Sequence, residues 1–214
     1  KTAYEIKECD WSSDVCSSDL KCYFYIFSEK FCNCGLDIVP KYNILETQFT
    51  SSHQEALMIS FSVANAKLES LYNVTELQTW LTHKRKVYSF DLLSGWSCPF
   101  ARDCMAKVQE VDGKKKLVDG PHTQFRCFSA SQEATFPSAY NKRKANFDGL
   151  RNLSQDEMVK AISQALPKNA GIVRVHVAGD FFSRDYMRAW MMVAQSNPSI
   201  LFYAYTKSLG YWVE

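Results

Sequence analysis

Ile172-Val173-Arg174-Val175-His176-Val177-Ala178-Gly179-Asp180 is the stretch that decides the fold. Seven residues rich in β-branched side chains, closed by Gly-Asp, read as a buried strand ending in a turn. Arg184 to Ser196 follows, with Tyr186, Met187, Trp190, Met191 and Ala194 as an apolar stripe at helical spacing. Asn197-Pro198 is a turn signal, and Ile200 to Tyr205 is a second strand. Strand, helix and strand joined by short links predict a right-handed βαβ unit with parallel pairing. In the first strand Val173, Val175 and Val177 form an apolar face suited to lie beneath helices. Arg174 and His176 then fall on the opposite face, which in a β/α barrel lines the interior. The competing readings are a satisfied core histidine for His176 and a structural ion pair for Arg174.

Working outward, Ser154-Gln155-Asp156-Glu157 is a capping box that opens a helix running to about Leu166 and stopped by Pro167. Phe128 to Phe136 reads as a helix broken at Pro137, with a second helix through Leu150. Lys107 to Val118 predicts a hairpin turning at Asp112-Gly113, with Lys114-Lys115-Lys116 as a solvated edge on its return strand. Val87 to Leu92 alternates as a strand leading into Ser94-Gly95, and Val74 to Leu81 fits a short helix.

The chain has 214 residues, 46% of them hydrophobic, enough for one packed domain with an appendage. A net charge of +2 does not by itself imply a nucleic-acid partner. No apolar run approaches the roughly 20 residues that span a bilayer, and the N-terminus lacks the apolar core of a signal peptide. The expectation is a cytoplasmic protein with no membrane partner, in which cysteines are free, metal-bound or catalytic. Of eight cysteines, Cys9, Cys16, Cys22, Cys32 and Cys34 crowd into the first 34 residues. Within that stretch, residues 10–20 resemble the translation of a common sequencing-library adapter in a single reading frame. Residues 1–50 are therefore expected to be artefactual in part, with a zinc module on Cys22, Cys32 and Cys34 as the competing reading. Residues 51–214 form the α/β domain. Only three core strands are visible in it, so a complete barrel is expected to need sequence beyond Glu214.

In parallel α/β architectures ligands bind at the carboxyl ends of the strands. Three features fall there: the loop carrying Cys98 and Cys104, then Gly179-Asp180, then Thr206-Lys207. Cys127, beyond the hairpin, can be folded back onto the same loop. Cys98, Cys104 and Cys127 are the candidate metal ligands. His122 could complete a Cys3His zinc site, whereas an iron–sulfur cluster on three cysteines keeps one iron open. His176, Asp180 and Lys207 are the candidate catalytic side chains on the rim or in the cavity below it. A metal-free hydrolase built on His176 and Asp180 lacks any nucleophile motif such as Gly-x-Ser-x-Gly. Lys114–Lys116, Arg126 and Lys142-Arg143-Lys144, with Tyr140 and Phe147, could instead form a basic, aromatic-dotted surface for nucleic acid.

Residues 60–214 resemble the phage and bacterial gene product 88 family. The resemblance is carried by Asn65-Ala66-Lys67-Leu68, by Cys98-Pro99 with Cys104, and by Phe125-Arg126-Cys127-Phe128-Ser129-Ala130-Ser131-Gln132-Glu133. It continues through Asn146-Phe147-Asp148, Val173 to Ser183 and Phe202 to Ser208. The layout is similar, more weakly, to the radical S-adenosylmethionine superfamily, although the intervals between the cysteines here are wider. That resemblance implies a truncated, TIM-like parallel β/α barrel with a three-cysteine loop and an inserted β-hairpin. It further implies a [4Fe–4S] cluster on Cys98, Cys104 and Cys127, S-adenosylmethionine held near Gly179 and Asp180 with Phe128 beside its adenine, and radical chemistry on an unknown substrate, plausibly a nucleotide or nucleic acid. The reading from another class is a zinc-stabilised nucleic-acid-binding module without catalysis.

Overall fold

The structure, a computed structural model, describes residues 59–213 and the backbone of a strand at residues 23–27. The adapter-like stretch and the five N-terminal cysteines lie outside the described residues. Strands β1 (Tyr23–Phe27), β2 (Ser62–Val63), β3 (Lys86–Phe90), β6 (Ala170–Val175) and β7 (Leu201–Thr206) form one sheet in the order β1-β7-β6-β3-β2. β3, β6 and β7 pair in parallel, as the βαβ pattern predicts, and the two outer strands pair antiparallel. Among the described residues this sheet is open. β4 (Ala106–Val111) and β5 (Lys114–Asp119) are the hairpin inserted after β3. Its turn residues, Asp112 and Gly113, both take positive φ, 53° and 69°, as a tight two-residue hairpin turn requires.

Helices α2 (Phe128–Thr135), α3 (Pro137–Leu150), α4 (Gln155–Ala165) and α5 (Arg184–Gln195) follow the predicted pattern closely. A short α1 (Ala66–Glu69) precedes them, and α6 (Gly210–Val213) ends the described chain. Pro137 sits in the first turn of α3, where its missing N–H costs nothing. The capping box of α4 is formed, with Glu157 Oε2 accepting from Ser154 N at 2.8 Å. Ser183 Oγ caps α5 by accepting from Tyr186 N. On one face of the sheet Phe90, Val173, Val175 and Phe202 pack against Tyr186, Met187, Trp190 and Ile162. On the other, Val87, Ile172, Leu201 and Tyr203 gather with Leu68.

The short helix expected over Val74 to Leu81 forms as a 3-10 helix, Thr75–Trp80, with Leu77 N donating to Val74 O. One local expectation is corrected. The strand expected through Ala178 stops at Val175, because His176 is left-handed at φ 72°. That residue reverses the alternation. Val177 joins the cluster on the far face, while the His176 ring turns under α5 to Tyr186 and Phe181. The His176 ring therefore does not share a face with Arg174, which meets only its carbonyl.

One buried ion pair fastens the helices to the loop after β3. Glu133 on α2 is fully buried, and its Oε1 accepts from Ser94 N, Ser94 Oγ and Arg143 Nη1 on α3. Replacing Arg143 by Met strands this carboxylate, which should cost about 3–5 kcal/mol. Urea unfolding measures the loss, and a cost below about 1 kcal/mol would show that the pair does not hold the loop.

Candidate functional site

The carboxyl ends of β3, β6 and β7 meet at Asp180. Its Oδ1 accepts from Thr206 Oγ1 at 2.5 Å and from Phe181 N at 2.7 Å, and its Oδ2 accepts from Lys207 N at 2.9 Å. Its own N–H donates to Ser97 Oγ at 3.3 Å, which brings the cysteine loop to the same point. Gly179 is required at φ 85°, because a Cβ there would lie 2.6 Å from Ser97 Oγ and 2.7 Å from Leu92 Cβ. Asp91, at the end of β3, closes the back of the turn by accepting from Val177 N and Ala178 N.

Cys98, Cys104 and Cys127 are all half-buried and free of disulfides. Cys98 follows Ser97, whose Oγ lies 3.9 Å from the Cys98 sulfur. Cys104 ends a 3-10 turn, Arg102–Cys104, and its sulfur lies 2.9 Å from Lys207 Nζ. Cys127 is the residue at the N-terminus of α2. Burial, the Asp180 charge and, more weakly, Cys127 push the Cys98 thiol up to about 12. Burial raises the Asp180 carboxyl above its ordinary value, with the bonds from Thr206, Lys207 and Phe181 pulling the other way. The rim therefore crowds groups that resist carrying negative charge together, and Lys207 supplies a cation at one side.

Of the predicted residues, Cys98, Cys104, Gly179, Asp180 and Lys207 are brought together through these contacts, and Cys127 is close enough for its charge to act on Cys98. Phe128 stands 61% exposed beside Cys127. His122 is exposed. His176 is buried, with Nε2 3.0 Å from Tyr186 Oη, and burial holds its ring down at about 3, so it is neutral. It belongs to the core beneath α5, not to the rim. Most of the basic side chains find partners within the chain: Lys142 donates to Phe61 O, Arg143 pairs with Glu133, Lys144 pairs with Asp148, Lys115 covers Tyr140, and Arg126 pairs with Asp119. Ser97, Asp91 and Thr206 carry the geometry, and the sequence marks them only as polar residues beside strand ends. Among the described residues no three His, Cys, Asp or Glu side chains stand close enough to hold a metal ion as placed. No helix among them is long and apolar enough to cross a membrane.

The chain belongs to the family described as Gene product 88, whose model matches residues 57–214. It is similar to the Gene 88 protein of Mycobacterium phage L5, at 27% identity over 122 residues. That match covers 53% of this chain and 44% of the phage protein, so the chain spans less than half of that relative's length. No solved structure matches.

Asp180→Asn should keep one acceptor oxygen but set an amide N–H2 against a donor, at a cost of about 1–3 kcal/mol. Because the folded carboxyl is raised, the stability it contributes is full below its unfolded value and lost as pH rises through the folded one. The difference between wild type and variant should therefore be larger at pH 3 than at pH 7. Urea unfolding at the two values tests this, and a difference that grows with pH contradicts it.

Proposed function

We propose that the rim is a thiol-ligated metal site, with Cys98, Cys104 and Cys127 as its ligands. The observation that carries this reading is three free thiols near the carboxyl ends of the parallel strands: Cys98 beside the Ser97 that accepts from Asp180 N, Cys104 against Lys207, and Cys127 near enough to act on Cys98. The donors suit iron or zinc in kind and number. Their placement is unfinished: the three sulfurs do not converge on one point as placed, and Cys104 is met by the Lys207 ammonium. A metal cation would also offset the burial and the Asp180 charge that hold the Cys98 thiol up.

The finer reading, a [4Fe–4S] cluster working with S-adenosylmethionine, rests on the weaker family resemblance and on the open iron that three cysteines leave. When bound, such a cluster supplies an electron for cleaving that cofactor. This chain's own contributions are easier to define. Gly179 and Asp180 fix the strand ends, Ser97 orients the loop carrying Cys98, and Lys207 stands beside Cys104. The barrel expected of that superfamily would have to close through sequence other than the described residues. The alternative zinc-stabilised nucleic-acid module is less well supported, since Arg126, Lys142, Arg143 and Lys144 of its basic surface are engaged within the chain.

Anaerobic reconstitution with iron and sulfide should give a brown protein whose sulfur-to-iron absorption is lost in Cys98→Ala, Cys104→Ala and Cys127→Ala, each checked for folding by circular dichroism. One equivalent of tightly held zinc with no iron uptake would favour the alternative metal. Metal binding indifferent to all three substitutions would overturn the site.

A further inference from the structure

Arg174 lies on the face of the sheet away from α4 and α5, in register with Ser89 on one side and Tyr203 on the other. Arg174 is half-buried. Nε donates to His176 O at 3.3 Å, the buried Tyr203 is its neighbour in register on β7, and the carbon of the guanidinium lies 5.1 Å from the centre of the Tyr205 ring. None of the ion pairs among the described residues includes Arg174. Asp91, the carboxylate at the end of the adjacent strand, is engaged by Val177 N, Ala178 N and Ser89 Oγ. The structural ion pair that would be the ordinary reason for an arginine here is thus missing from these residues.

A partly desolvated guanidinium normally meets an anion, because its five N–H donors otherwise lose water without replacement. Arg174 instead meets a carbonyl, a phenol and a ring face, none of which carries charge. Tyr203 is buried and Tyr205 is 41% exposed, so the cluster has a closed floor and an open side. It sits toward the carboxyl ends of β6 and β7, the end of the sheet that carries the cysteine rim.

We infer that Arg174, with Tyr203 and Tyr205, is an oxyanion subsite that takes a phosphate or carboxylate group of the molecule bound at this end of the sheet. Arg174 supplies the planar fork and the charge, the His176 carbonyl holds its Nε, the Tyr205 ring lies against its face, and Tyr203 walls the buried side. The subsite requires no metal, so it stands or falls apart from the thiol site.

The test titrates the full chain, in metal-free buffer, with inorganic phosphate and separately with acetate, against chloride at matched ionic strength. Thermal unfolding and tyrosine fluorescence report binding. Saturable stabilisation by phosphate or acetate over chloride is expected, with the tighter anion naming the ligand class. Arg174→Gln should bind about ten- to a hundredfold more weakly, as expected for losing a charged hydrogen bond. Arg174→Lys should recover part of the affinity as a point charge, and metal uptake by either variant should match wild type. An anion response in Arg174→Gln equal to wild type would overturn the subsite. If Arg174→Gln fails to fold, Arg174→Lys decides: a folded lysine variant, or wild type itself, that distinguishes neither anion from chloride also overturns it.

Discussion

The Asp180 carboxylate is the constraint on which the rest of the site depends. It joins the end of β6 to the end of β7 through Thr206 and Lys207, and its backbone N–H takes Ser97 from the loop after β3. Three strand ends and the cysteine loop are thereby set by one residue. The arrangement works only because Gly179 has no Cβ, which lets Ser97 and Leu92 close on the turn. A carboxylate so placed is costly to bury, as its raised protonation shows, and the hydrogen bonds it accepts offset part of that cost.

The same burial governs the thiols. Cys98 is held protonated by its surroundings and by the nearby Asp180, while Cys104 is met by the Lys207 ammonium. The rim is thus asymmetric, with a suppressed acid on one side and a cation on the other. A metal bound there as proposed would require loss of the Cys98 proton, and would set the Lys207 ammonium beside the Cys104 sulfur.

Much of this was legible in the sequence where the determinants are local. The capping box at Ser154, the Asp112-Gly113 turn, the break at Pro137 and the βαβ spacing each specify structure within a few residues, and each is formed. The convergence of the Cys98 loop, Asp180 and Lys207 was legible too, since parallel strands deliver their carboxyl ends to one rim. What was not legible depends on distant partners or on a single backbone torsion. Nothing in Val175-His176-Val177 announces the left-handed residue that sends the histidine under α5. Lys142, Arg143 and Lys144 read as one basic run, but the Phe61 carbonyl, a buried glutamate and a helix neighbour each claim one of them. Arg174 read equally well as half of an ion pair, and only its surroundings show a phenol and a ring in place of a carboxylate.

The central claim is that Cys98, Cys104 and Cys127 bind one metal ion or cluster together. X-ray absorption at the iron and zinc edges, on protein isolated without oxygen, counts the sulfur neighbours of the bound metal directly. A shell dominated by sulfur, with a cysteine contribution that falls when any one of the three is replaced, is the result predicted here. A shell of nitrogen and oxygen alone, or one unchanged by those replacements, would contradict it.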